Sequence, residues 1–196
     1  MQDIVHFLFE VGMLKKTPRT GFQFLGSGSE SVAEHTLTTI FIGYTLCKLE
    51  TGIDELKTLK MCLVHDLPEA RTGDMNYVSK KYVTVHEDKA VKELTDTLFF
   101  GDEIKTVIDE FNERKTKESL LAHDADQLAL ILQLKEYKDL GNRYSKQWIE
   151  FAIKRLCTEN AKKMADTILG TDSSAWWFKD KSDWWVNGNR NNNGKR

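Results

Sequence analysis

Apolar residues recur along this chain at intervals of three and four, the spacing that lays them on one face of an α-helix. Ile4, Phe7, Leu8, Val11 and Leu14 set the rhythm and predict a first helix. From Lys15 to Glu30 the rhythm is lost to Pro18, Gly21, Gly26 and Gly28, and the segment reads as a loop crossing the surface. It resumes at Ser31-Val32-Ala33-Glu34, which has the form of a capping box, a hydroxyl and a carboxylate that satisfy the free amides of a helix start. That helix is predicted to run to about Glu50. Thr51-Gly52 stops it, and Asp54 caps a third helix through about Leu67, with Pro68 close behind. Arg71-Thr72-Gly73-Asp74 reads as a turn. Further helices are predicted from Val85 to Phe99, Asp102 to Arg114 and Thr116 to Leu140, and Trp148 to Leu169 is the last strongly periodic stretch. No run alternates with period two over strand length, so the expected fold is all-α, a single-domain helical bundle.

Composition narrows the function more than the fold. A chain of 196 residues, 40% of them apolar, can bury one core and is short for two. Charged residues make up 30%, mixed in sign, for a net charge of -2, which argues against a partner such as a nucleic acid polymer. Met1-Gln2-Asp3 lacks the features of a signal peptide, and no apolar run approaches the ~20 residues of a membrane span. A cytoplasmic protein with no membrane partner is expected. Cys47, Cys62 and Cys157 lie apart in apolar runs, as buried free thiols rather than a disulfide framework or a thiolate zinc site. Phe7, Phe41, Phe99, Phe111 and Phe151 are assigned to the core. Trp176-Trp177-Phe178 and Trp184-Trp185 are read as a strap docked on the domain, and Asn187 to Arg196, without an apolar anchor, as disordered. The domain is therefore placed at residues 1–178 and a tail at 179–196, largely disordered after 186.

Four polar features stand out against this apolar background: His35 in a capped helix, His65-Asp66 near the end of the next, Glu69 just after, and Asp126 inside a later apolar helix. Imidazole and carboxylate are good ligands for a divalent transition metal. An ionised carboxylate among Ala122, Ala125, Ala129 and Leu130 is costly unless paired or metal-bound. A lone histidine among apolar residues is more often a hydrogen-bonded core residue, and an adjacent His-Asp pair is a weak motif. Neighbouring helix positions diverge by about 100°, so a shared ion would have to lie close to the backbone between them. Asp124 has apolar neighbours at helical spacing just as Asp126 does, and periodicity does not choose between them. His123 reads as a helix-surface residue, Lys80 and Lys81 as a solvated face, and His6 and His86 as free of any catalytic role.

The order His35, His65-Asp66, Asp126 resembles the H…HD…D pattern of the HD-domain phosphohydrolase superfamily. Pro18-Arg19-Thr20-Gly21-Phe22, Glu30-Ser31-Val32-Ala33-Glu34-His35, the ten residues from His65 to Asp74 and Ala125-Asp126-Gln127-Leu128 resemble the corresponding segments of one branch. So do Gln133, Glu136-Tyr137 and the Trp-Trp-Phe near the end. That branch holds the bacterial 5′-deoxynucleotidases and the eukaryotic proteins called HD domain-containing protein 2, and the resemblance spans about residues 1–178. It implies an HD-type bundle holding one divalent ion (manganese, cobalt, iron or zinc) through His35, His65, Asp66 and Asp126. It further implies catalytic carboxylates at Glu69 and Asp74, a phosphate-contacting Arg19, a nucleoside 5′-monophosphate substrate with or without the 2′-hydroxyl, and a homodimer. Thr20 stands where the bacterial enzymes carry tryptophan, which leaves base and sugar selectivity open. The competing readings are another HD-type hydrolase acting on triphosphates or signalling nucleotides, and a nucleotide-binding protein without catalysis. Only five histidines, two of them outside any matching motif, disfavour a dinuclear site.

Overall fold

The protein is described from a computed structural model over residues 1–178 and 184–188. Helix α1 spans Gln2–Val11, α2 Val32–Leu49, α3 Glu55–Val64, α4 Glu69–Thr72, α5 Glu87–Thr95 and α6 Gly101–Glu113. They are followed by α7 at Lys117–Asp139, α8 at Ser145–Ile153, α9 at Glu159–Gly170, and the single turns α10 at Ala175–Phe178 and α11 at Trp184–Asn187. Short 3-10 segments cover Gly12–Lys15, Thr20–Leu25 and Ser79–Lys81. Among the described residues there is no strand beyond an isolated antiparallel bridge between Pro18 and Ser31, so the all-α expectation holds.

The bundle is organised around α7, which packs against α2, α3, α6, α8 and α9. Its Leu121, Ala122, Ala125, Leu128 and Ile131 are buried with Leu46 of α2, Met61 and Cys62 of α3, Phe111 of α6 and Ala161 of α9. A helix covered on so many sides presents no solvent stripe. Small residues set how near its neighbours come. A Cβ added to Gly43 would sit 2.6 Å from the Cys62 sulfur and 3.7 Å from Ala125 Cβ, so α2, α3 and α7 cross at close range. Helix α1 docks separately, its Phe7 and Val11 packing with Leu14, Val32, Leu67 and Leu94.

Local signals explain the helix starts. Ser31 Oγ accepts from Glu34 N at 3.2 Å while Glu34 Oε2 accepts from Ser31 N at 2.7 Å, the reciprocal box read from the sequence. Asp54 caps α3 by accepting from Lys57 N, and Thr116 caps α7 by accepting from Ser119 N.

Several expectations need correction. The stretch from Lys15 to Glu30 is more than a surface loop: Phe22 and Leu25 are buried against Leu134 and Ile149. Arg71 and Thr72 belong to α4 rather than a turn, and the helix predicted from Val85 to Phe99 is confined to Glu87–Thr95. The periodic stretch from Trp148 to Leu169 is broken between Ile153 and Glu159, where Thr158 caps a new helix by accepting from Ala161 N. Phe41, Phe99 and Phe151 are exposed rather than core, and so is Cys157, whereas Cys47 and Cys62 are buried free thiols as expected. The aromatic residues of the C-terminal segment contact one another (Trp177 with Phe178 and with Trp185), and Trp176 remains 86% exposed. Of the tail, 184–188 carries the turn α11, and the disorder expected beyond it falls outside the described residues.

Candidate active site

The corner between α3 and α4 is made by one proline. Its ring has no N–H to donate and would clash with the carbonyl four residues back. Four residues before Pro68 is Val64, the last residue of α3. The Val64 carbonyl instead accepts from Leu67 N at 3.0 Å, and the chain turns through His65 and Asp66 before α4 begins at Glu69. His65 keeps helical backbone geometry, its N–H donating to the Met61 carbonyl, and in the tightened turn that follows its Nε2 lies 3.3 Å from Asp66 Oδ2. His65 Nδ1 is 3.0 Å from the Cys62 carbonyl, to which it donates, and its Nε2 is buried without a hydrogen bond.

From α2, His35 enters the same space completely buried, its Nε2 at 2.9 Å from Asp126 Oδ1 and 3.8 Å from Asp66 Oδ2. The Asp126 carboxylate comes from α7, and its other oxygen accepts from Gln127 Nε2 at 2.7 Å. Ligand-type atoms of His35, His65 and Asp126 all lie within 4.8 Å of one another, and Asp66 reaches both imidazoles. Burial disfavours charge here, but His65, His35 and Arg19 still hold Asp66 down at about 2, and the His35 contact holds Asp126 well below the usual carboxylate range. Against the same burial, the Asp66 and Asp126 carboxylates push His65 up to about 9. The field that favours a proton on His65 favours a bound cation equally.

Arg19 and the acidic residues flank this cluster. Arg19 N donates to the Glu30 carbonyl at 2.8 Å beside the Pro18–Ser31 bridge, and Arg19 NH1 stands 3.4 Å from Asp66 Oδ2. Gly73, at φ +70°, ends α4 and turns the chain so that Asp74 meets Thr20. Asp74 Oδ2 accepts from Thr20 N at 2.7 Å, and Thr20 Oγ1 donates to the Asp74 carbonyl at 2.8 Å. Thr20 is thus committed to holding the two segments together. Burial, with Asp66 and Asp74 nearby, pushes the Glu69 carboxyl up to about 9, and its Oε2 is buried without a hydrogen bond.

All seven residues singled out in the sequence gather at this corner. Others there were passed over. Glu30 is 6% exposed with its Oε2 buried, 3.7 Å from Arg19 Nε. Gln127 supports Asp126, and its place directly after that aspartate was the available signal. On the opposite side of α7, Asp124 is completely buried and accepts from Cys157 N at 2.7 Å and Thr158 N at 2.8 Å. It anchors the start of α9. His123, expected on the surface, is buried beside Phe111, because α7 has no wide solvent face.

Comparison with known proteins agrees with this arrangement. The chain is 35% identical over 150 residues to the 5′-deoxynucleotidase HDDC2 of Dictyostelium discoideum, covering 70% of this chain and 79% of that protein. It is 32% identical over 146 residues to the 5′-deoxynucleotidase hdd1 of Schizosaccharomyces pombe, covering 69% and 73%. A conserved hypothetical protein of Pyrococcus furiosus, 28% identical, superposes with a TM-score of 0.71 over 85% of this chain and 99% of its own. A helical domain with these relatives, gathering imidazoles and carboxylates in one buried corner, is an enzyme of the hydrolase class. The HD domain profile matches residues 11–168, and the chain belongs to the HD domain family.

Proposed function

We propose that the protein is a metal-dependent phosphomonoesterase that removes the 5′-phosphate from deoxyribonucleoside or ribonucleoside monophosphates, with one divalent transition-metal ion held by His35, His65, Asp66 and Asp126. The observation that carries this reading is the His65 ring. Donation from Nδ1 to the Cys62 carbonyl fixes its orientation and leaves Nε2 buried, without a hydrogen bond, facing the carboxylates. A cation there would satisfy a nitrogen that the fold leaves without a hydrogen bond, in ionic contact with Asp66 at 3.3 Å. Two imidazoles and two carboxylates suit manganese, cobalt, iron or zinc and do not select among them. When bound, such an ion supplies Lewis acidity to a phosphoryl oxygen and lowers the pKa of water.

The chain's own groups do the remaining work. Arg19 offers a planar fork to the phosphate oxygens and offsets charge in the transition state. Glu69, with an unengaged carboxylate oxygen, orients the attacking water or moves its proton. Asp74 spends one oxygen on Thr20 N, which fixes the segment carrying Arg19, and its second oxygen can share the proton work. The names of the relatives support the choice of nucleoside 5′-monophosphates.

The test is phosphate release from a panel of nucleoside 5′-monophosphates and triphosphates, using metal-stripped protein supplied with one divalent ion at a time. Release from monophosphates that appears only with the ion is expected. Turnover confined to triphosphates would favour another nucleotide hydrolase of the same fold. Stoichiometric metal without release from any monophosphate would sink the proposal.

A further inference from the structure

Glu30 is a buried carboxylate with no task in the reaction as proposed. Its main chain holds the Arg19 segment: its carbonyl accepts from Arg19 N at 2.8 Å, and the neighbouring Ser31 forms the bridge with Pro18. None of those bonds needs an acidic side chain. The carboxylate itself adds a cost, because its Oε2 is shut off from solvent and makes no hydrogen bond within the fold. Burial pushes the group up to about 7 against the pull of the Arg19 guanidinium.

The geometry around Arg19 gives this cost a purpose. The guanidinium stands between two carboxylates: NH1 donates to Asp66 Oδ2 at 3.4 Å, and Glu30 Oε2 lies 3.7 Å from Nε in an ion pair without a hydrogen bond. With no counter-pull from Glu30, the guanidinium would close further on Asp66, which NH1 already reaches, occupying a proposed metal donor and using the edge that a phosphate needs. We infer that Glu30 is a positioning residue, which holds Arg19 by its Nε edge so that the terminal nitrogens are presented to the phosphate of the substrate. Nε is the donor that lies back along the side chain, so engaging it orients the fork without covering its outer face. The inference rests on the reading of Arg19 as the phosphate contact.

A double-mutant cycle tests it. Wild type, Glu30→Gln, Arg19→Ala and the double variant are compared for KM and kcat on a 5′-monophosphate, for the affinity of inorganic phosphate by calorimetry, and for metal content. Glu30→Gln is expected to raise KM and weaken phosphate binding by roughly tenfold, the size of a coupling between directly contacting charged groups, with kcat and metal content nearly unchanged. In the Arg19→Ala background the same change should have no further effect, whereas a general structural role for Glu30 would add to it. Effects that multiply, or phosphate affinity equal to wild type in Glu30→Gln, would overturn the inference while leaving the phosphomonoesterase reading intact. If wild type turns over no nucleotide yet loses phosphate affinity in both single variants, the reaction fails and the positioning role stands. Failure of wild type to bind phosphate at all would remove both.

Discussion

Helix α7 carries two aspartates two residues apart, each beside a histidine and each drawn into a different corner of the molecule. Asp124 is the more buried of the two, with no exposure against 19% for the Asp126 side chain. Both of its oxygens are claimed by backbone amides, those of Cys157 and Thr158. Asp126 also has both oxygens engaged, by His35 Nε2 and Gln127 Nε2, but it lies in a corner where His65 Nε2 and Glu69 Oε2 are buried without hydrogen bonds. Neither burial nor charge separates structural from chemical use here. The kind of partner does: backbone amides hold both Asp124 oxygens, while both Asp126 oxygens are held by side chains, His35 and Gln127, in a corner where other buried groups still lack a hydrogen bond.

The comparison can be broken by exchanging the two losses. Asp126→Ala should reduce metal affinity and turnover by at least about a hundredfold, since disturbing even an outer partner of a metal site costs ~10–100-fold. Metal analysis and phosphate release would show it, and a variant that keeps both would remove Asp126 from the site. Asp124→Ala should instead lower stability by about 3 kcal/mol or more, from two lost hydrogen bonds to a charged acceptor. At this chain length that is a fall of roughly 6–12 °C in melting temperature. Metal content per folded molecule should be unchanged, and loss of metal from a folded Asp124→Ala would erase the distinction drawn above.

A smaller effect sharpens the same point. The Glu69 carboxyl is raised by burial and by Asp66 and Asp74 from 4.5 to about 9, so the fold favours its protonated form. Its contribution to stability is therefore full below pH 4.5 and is lost as the pH rises toward 9. In metal-stripped protein, Glu69→Gln should melt a few degrees above wild type at pH 9 and together with it at pH 4. An equal gain at both would show that packing, not ionisation, is responsible.

What could be read from the sequence was local. The Ser31–Glu34 box and the Asp54 cap act within four residues, so they announced the starts of α2 and α3 correctly. The choice between Asp124 and Asp126 depends on partners 33 and 91 residues away, and a helix packed on so many sides gives no periodic clue. The same absence of a solvent stripe misled the reading of His123. The break after Ile153 was hidden because apolar spacing runs on through it, while the acceptor that holds the new helix start sits on α7. Glu30 lay inside a quoted segment, but its burial depends on how the Arg19 loop folds back.

Pro68 reaches beyond the native geometry of its corner. A proline restricts the unfolded chain as well as the folded one and disfavours helical backbone at the residue before it, so extending α3 past Asp66 is already disfavoured before tertiary contacts form. The end of α3 is thus marked out locally, and the helices bearing His35 and Asp126 have only to close on it.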